Sequence, residues 1–206
     1  MNPIQQIIEQ KVYAVVRVNN PKEAIRISKA LVRGEIKIIE LMIENAELIK
    51  AVEELKKTEN ILLAAGGIIT ERQATIAINA GADIIVSPIF QMNLVRLCKS
   101  RKIPLLMTAT TPNEAYAAWK ARTPLIKIYP TNAMGGAQYI EELLRPMKFL
   151  DIIATGNISL RDFTTYLDAG AKAVGIGRAF YQYATDEEIT ERAKYVLQKL
   201  ENYKKF

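Results

Sequence analysis

The sequence predicts a (β/α)8 barrel, the TIM-barrel architecture, as one domain over residues 1–206. Three observations carry that prediction. Eight short β-branched or aliphatic runs recur along the chain, and continuous apolar runs of that length fit strands buried on both faces, as in a parallel sheet. A helical pattern follows each run. The strand starts recur roughly every 20 to 26 residues, the period of β-loop-α units with short connections. Six such units would fit a doubly wound sheet, whereas eight close a barrel. At 206 residues the chain is at the low end of the barrel size range, which leaves no room for an inserted domain.

The first run, VYAVVRV (12–18), leads into NPKEAIRISKALVRG. Pro21 near its start and Gly34 past its end are the expected helix punctuation. IKIIELM (36–42) and ILLAAG (61–66) follow, and TERQATIAINAGA opens on Thr70, a capping residue, and stops at Gly81. DIIVSP (83–88) precedes the helix-like LVRLCKS, where Cys98 reads as a packed small apolar residue rather than a nucleophile. IPLLMT (103–108) precedes TPNEAYAAWKA, and PLIKIYP (124–130) precedes GGAQYIEELLRPM. LDIIAT (150–155) leads to SLRDFTTYLDAGA, which opens on Ser159 and stops at Gly170. AKAVGIG (171–177) is the eighth run. TDEEITERAKYVLQKL then places acids at its N-terminal end and bases toward its C-terminal end, as the helix dipole favours. The repeated AGA, at 80–82 and 169–171, reads as a helix stop with a tight turn into the next strand.

Composition removes several chemistries. The chain has no histidine, which excludes Ser-His and Cys-His catalysis and the commonest metal ligand. Cys98 is the only cysteine, so neither an intrachain disulfide nor a thiolate zinc site is expected, and no metal is. Catalysis is left to Lys, Asp/Glu, Tyr, Ser/Thr and backbone groups. The net charge of +6 is spread through stretches such as ELKKTEN and CKSRKIP. With no recognition motif beside it, the charge predicts no nucleic-acid partner, only a mild bias toward small anionic substrates. MNPIQQIIEQ lacks the apolar core of a signal peptide, and no run is long enough to span a bilayer. The expectation is a cytoplasmic protein without a membrane partner.

One residue breaks the apolar pattern of its strand. Lys127 sits at the centre of PLIKIYP, although burying an ammonium is costly. Alternation puts Leu125, Lys127 and Tyr129 on one face and Ile126 and Ile128 on the other. The isoleucines suit the helix layer, so Lys127 points into the barrel. Desolvation there favours the neutral amine, the form that attacks a carbonyl to give a Schiff base. In the second run Ile38, Glu40 and Met42 share a face, so Glu40 also points inward. A buried Lys–Glu ion pair with no chemistry is the alternative, although such pairs stabilise poorly compared with apolar packing. Arg17, near the end of the first run, is a third inward residue or a rim ion pair.

In the order and spacing of these pieces the chain resembles the class I 2-keto-3-deoxy-6-phosphogluconate / 4-hydroxy-2-oxoglutarate (KDPG/KHG) aldolases, including the phosphogalactonate branch. IKIYPTNAMGGAQYI and GADIIVSPIF are the most specific stretches, and VVRV with NPKEA, IIEL and TPNEA add to them. The resemblance implies a Schiff-base aldolase that joins pyruvate to a phosphorylated aldehyde, needs no cofactor and is commonly a homotrimer. It implies that Lys127 forms the imine, that Glu40 moves protons and that Arg17 orients substrate. Thr155, Gly156, Asn157, Gly177 and Arg178 would lie where the family holds a phosphate, after strands seven and eight, and Gly66, Thr108 and Thr111 would join the substrate site.

The sequence departs from the family pattern at several of these positions. A threonine expected at the pyruvate carboxylate is Gly67, and MTA (107–109) replaces Pro-Gly-Val. Glu44 stands where some members carry a carboxylate-binding arginine, and Asn157 replaces a loop glycine while keeping tolerance of left-handed backbone. Arg178 replaces a small residue and suits bidentate phosphate contacts. Two alternatives therefore accompany the aldolase reading: a diverged Schiff-base aldolase with another carbonyl substrate, and a non-catalytic barrel that binds a phosphorylated ligand. Phe90, Tyr139 and Tyr181 read as exposed aromatics available to an interface, or as ordinary packing under the helices.

Overall fold

The computed structural model describes residues 2–203. Eight parallel strands close into a barrel in chain order. They are β1 (Val12–Val16), β2 (Ile38–Met42), β3 (Leu62–Gly66), β4 (Ile84–Ser87), β5 (Leu105–Ala109), β6 (Ile126–Ile128), β7 (Ile152–Thr155) and β8 (Ala173–Ile176). Each lies within its predicted run, except that β5 continues one residue further. Helices α2 (Pro21–Arg33), α3 (Ile49–Thr58), α4 (Glu71–Asn79), α5 (Met92–Arg101), α6 (Pro112–Lys120), α7 (Ala137–Leu144) and α8 (Phe163–Asp168) each follow one of the first seven strands. The eighth strand is followed by the short α9 (Arg178–Tyr181) and by α10 (Asp186–Tyr203), and α1 (Pro3–Gln10) precedes β1.

The helix starts follow local chemistry. Asn20 caps α2 ahead of Pro21, and Thr70 with Gln73 forms a capping box on α4. At α8 the expectation shifts. The Ser159 hydroxyl accepts from the N–H groups of Arg161 and Asp162, both at 3.1 Å, and donates to the Asp162 carboxylate. That turn delays the helix, so Asp162 rather than Ser159 occupies the cap position.

Two apolar layers result from strand alternation. Outward residues such as Ile126 and Ile128 pack under the helices. Inward residues, including Ile38, Leu62, Ile84, Leu106, Leu125 and Ile153, fill the barrel, and Ile4, Ile7 and Ile8 of α1 pack against this inner cluster. Because α1 immediately precedes β1, it plugs the N-terminal end and leaves the C-terminal end open. Two of the three aromatics read as exposed are not. Tyr139 donates its hydroxyl to the Thr110 carbonyl, and Tyr181 is buried with its hydroxyl accepting from the Arg17 N–H at 3.0 Å. Phe90 is 40% exposed. Among the described residues, no helix is long and apolar enough to cross a membrane.

Candidate active site

The open end of the barrel holds a cavity of about 390 Å³. At its floor, Lys127 of β6 reaches across to Glu40 of β2 and donates to both carboxylate oxygens, at 2.6 and 2.8 Å. Both groups are buried, Lys127 at 7% exposure and Glu40 at 1%. The alternation read from PLIKIYP and IKIIELM is what brings them together, with Leu125 and Ile38 one layer below in the inner cluster. The pair puts an amine and a proton acceptor within one hydrogen bond of each other.

Gly66 does not line the cavity. It stands beside Glu40, and a Cβ there would lie 2.5 Å from Glu40 Oε1 and 2.7 Å from Met42 Sδ. A glycine on β3 is what leaves the carboxylate its place. Gly67 does line the cavity, with φ +78°, a conformation that disfavours a threonine side chain. Thr108 pairs with Lys127 in the β5–β6 register and brings a hydroxyl-bearing side chain to the cavity lining. Thr111 is elsewhere. Its hydroxyl accepts from the Glu114 N–H as the cap of α6, while Glu114 accepts from the N–H groups of Thr110 and Thr111, both at 2.8 Å. Those two bonds lead in holding the Glu114 carboxyl below its usual range. The sequence signal TPNEA is thus a capping box, and Thr111 is not among the cavity-lining residues.

The far wall is built by β7, β8 and their loops. Thr155, Gly156 and Asn157 line it together with Gly177 and Arg178. The Thr131 hydroxyl fastens this wall to β6, since it bonds the Ile128 and Thr155 carbonyls and accepts from the Thr155 N–H at 3.0 Å. Asn157 takes the left-handed backbone its residue type permits, at φ 54°. Arg178 has no acidic partner among the described residues. Arg17 also lines the cavity, and its guanidinium pairs at 3.1 Å with Glu44, which lies outside the lining at the rim. Glu44 holds the arginine from the rim, and its charge also reaches the cavity-lining Tyr181.

Tyr129, on the face shared with Lys127 in PLIKIYP, lines the cavity, and so do Tyr181 and Pro88, whose sequence surroundings carry no site signal. Tyr13 of β1 is buried inside the barrel, and its hydroxyl finds no hydrogen-bond partner. Burial first, then the Glu40 charge and a hydrogen-bonding interaction with the Glu40 carboxylate that falls short of normal geometry, raise its pKa well above the usual phenol value. Cys98 is buried, and desolvation pushes its thiol up to about 11, which removes it as a nucleophile.

A buried lysine hydrogen-bonded to a carboxylate at the open end of a (β/α)8 barrel is an arrangement that the class I lyases, which work through a lysine imine, require. The sequence profile of the KDPG and KHG aldolases matches residues 4–193, and the chain belongs to that family. It is an aldolase, a carbon–carbon lyase. The chain is 28% identical to a 2-dehydro-3-deoxy-phosphogluconate aldolase of Haemophilus influenzae, over 79% of each chain. It is 26% identical to a probable 2-dehydro-3-deoxy-6-phosphogalactonate aldolase of Rhizobium meliloti, over 85% of this chain and 84% of that one. Among solved structures it superposes with TM-score 0.85, at 23% identity over 95% of this chain and 98% of that one, on the KDPG aldolase of Legionella pneumophila with pyruvate captured at low pH as a covalent carbinolamine intermediate.

Proposed function

We propose that the protein cleaves or forms a 2-keto-3-deoxy sugar acid phosphate, such as 2-keto-3-deoxy-6-phosphogluconate, giving pyruvate and an aldehyde such as glyceraldehyde 3-phosphate. The observation that carries the reading is the buried Lys127–Glu40 pair at the cavity floor. Lys127 gives a proton to Glu40, and its nitrogen attacks the substrate ketone to form a carbinolamine. Glu40 returns the proton to the carbinolamine hydroxyl, which leaves as water. The resulting protonated imine is the electron sink for cleavage. Glu40 then takes the proton of the C4 hydroxyl, the C3–C4 bond breaks, and the aldehyde departs. The enamine left on Lys127 is protonated at C3, and water hydrolyses the imine to release pyruvate.

In this reading Arg17, steadied by Glu44, and Thr108 receive the keto-acid carboxylate in place of the threonine that Gly67 lacks. Arg178, Gly177 and the Thr155–Asn157 loop receive the phosphate. A second reading, a Schiff-base aldolase for another carbonyl compound, is favoured by Gly67 and by the engagement of Arg17 with Glu44. The experiment is a coupled NADH assay for released pyruvate on a panel of 2-keto-3-deoxy acids with and without a terminal phosphate. Turnover that requires the phosphate supports the first reading. Cleavage with release of a keto acid other than pyruvate supports the second. The reading also includes a homotrimer, supported by the family resemblance, and a cytoplasmic location, which suits a chain whose one cysteine is unpaired.

A further inference from the structure

Imine formation changes what Glu40 has to bond. In the resting protein the Lys127 ammonium supplies up to three N–H donors, and it occupies both carboxylate oxygens. A protonated imine nitrogen carries one N–H, and the bond to the substrate carbon pulls it toward the cavity. A buried carboxylate that loses a donor must find another or move.

The described residues offer one such donor from below. Tyr13 is 3% exposed, and its hydroxyl is buried without a hydrogen-bond partner. Its position is tightly set. Tyr13 is level with Gly175 across the β1–β8 register, and a Cβ on Gly175 would lie 2.6 Å from Tyr13 Cζ and 2.7 Å from its hydroxyl oxygen. The ring therefore lies over a glycine that makes room for it. Around it the inner layer is apolar: Ile38, Leu62, Leu106, Leu125, Ile153 and Ala173. Burial first, then the Glu40 charge and a hydrogen-bonding interaction with its carboxylate keep the phenol protonated and hence a donor, although the two groups complete no hydrogen bond of normal geometry. The titratable groups facing Glu40 are Lys127 from β6 and Tyr13 from β1. β3 presents only the non-titratable Ala64 and Gly66 to it, and Arg17 and Arg178 stand above, around the cavity.

We propose that Tyr13 is a positioning residue of the reaction: when the Lys127 nitrogen leaves Glu40 for the substrate carbonyl, the Tyr13 hydroxyl donates to the carboxylate and keeps it aimed at the reacting atoms. This rests on the reading of Lys127 as the imine-forming residue. At rest the hydroxyl lies by the Glu40 carboxylate without completing a hydrogen bond of normal geometry, and the bond is completed during turnover.

The test is Tyr13→Phe, which keeps the ring and removes only the donor. The variant is expected to melt at or above the wild-type temperature without substrate, because it loses an unpaired buried hydroxyl. It is expected to trap pyruvate on Lys127 with borohydride, with kcat about tenfold lower and KM changed less than about twofold. The acid limb of the kcat–pH profile is expected to move upward, because the proton-accepting group loses a hydrogen-bond donor. On a Glu40→Gln background, Tyr13→Phe is expected to add nothing, because it acts through Glu40. Trapping with unchanged kcat and an unmoved acid limb overturns the Tyr13 role alone. A clear drop in melting temperature, or a full extra loss on the Glu40→Gln background, also overturns it, since the hydroxyl would then be structural. Absence of trapping in the wild type overturns the imine reading itself.

Discussion

Glu40 and Lys127 are each tolerable in the barrel only because of the other. Removing one partner of a buried pair leaves an uncompensated charge, which costs about 3–5 kcal/mol, whereas replacing both with apolar groups is close to neutral. Glu40→Gln is therefore expected to lower stability in urea titration by about that amount, and Glu40→Gln/Lys127→Met to recover most of it. Glu40→Gln also removes the proton carrier, so kcat is expected to fall about 10²- to 10⁴-fold in the pyruvate-release assay. Lys127 and Glu40 were legible in the sequence because a charge in an apolar strand breaks a pattern. Gly66 and Tyr13 were not legible in their roles, because a glycine at a strand end and a tyrosine in VYAVV both fit an ordinary β-strand. Their parts are set by what lies on the neighbouring strand β2, the Glu40 carboxylate in each case. Thr111 misled because the cap it makes on α6 and a substrate contact use the same hydroxyl.

The helix-to-strand turns repeat one device. After α2, α4, α5, α6 and α8, the residue two past the turn's start donates its N–H back to a carbonyl five residues earlier, as in Ile36 to Leu31 and Ala171 to Tyr166. The residue before each of these donors has positive φ: Glu35, Gly81, Lys102, Arg122 and Gly170. The AGA repeats announced the two glycines. The other three were hidden, because glutamate, lysine and arginine carry no turn signature and pay a steric cost in that conformation. Glu35→Gly, Lys102→Gly and Arg122→Gly are each expected to raise stability by about 0.5–1 kcal/mol in denaturant titrations. At the other end of the packing, α10 is clamped to α2 by Asp186, which pairs with Arg26 and Arg33. Burial works to raise the Asp186 pKa, but its bonds to Arg26 and Arg33 outweigh burial and leave it lowered. A lowered folded pKa means the stabilisation is present above the unfolded value, about 3.9, and is lost as pH falls through the folded value. Asp186→Asn should accordingly lower the melting temperature at pH 7 and leave it unchanged near pH 2.

At the scale of the whole molecule, the eight-fold period of apolar runs sufficed to predict the closed barrel. The plug at its base was not predicted, since PIQQIIEQ has no strand period and gains its partners only once the barrel has closed. The four-residue α9, which carries Arg178 to the cavity, is too short to leave a helical pattern. One surface feature belongs to this scale. Ile69, Ile76, Ile89, Phe90 and Met92, on α4 and on the segments after β3 and β4, are each at least 40% exposed. Apolar exposure of this kind marks contact surfaces; on the homotrimer reading proposed above, light scattering gives a solution mass three times the 23.1 kDa of one chain, and the mass of a single chain would contradict that reading. The account as a whole rests on covalent chemistry at a single nitrogen. The most direct measurement is borohydride reduction of the intact protein with pyruvate, followed by peptide mass mapping of wild type and Lys127→Ala. One reduced pyruvate adduct per chain, on Lys127 and absent from the variant, is the predicted result. A folded wild type that takes up no adduct, or carries it on another lysine, would contradict the account.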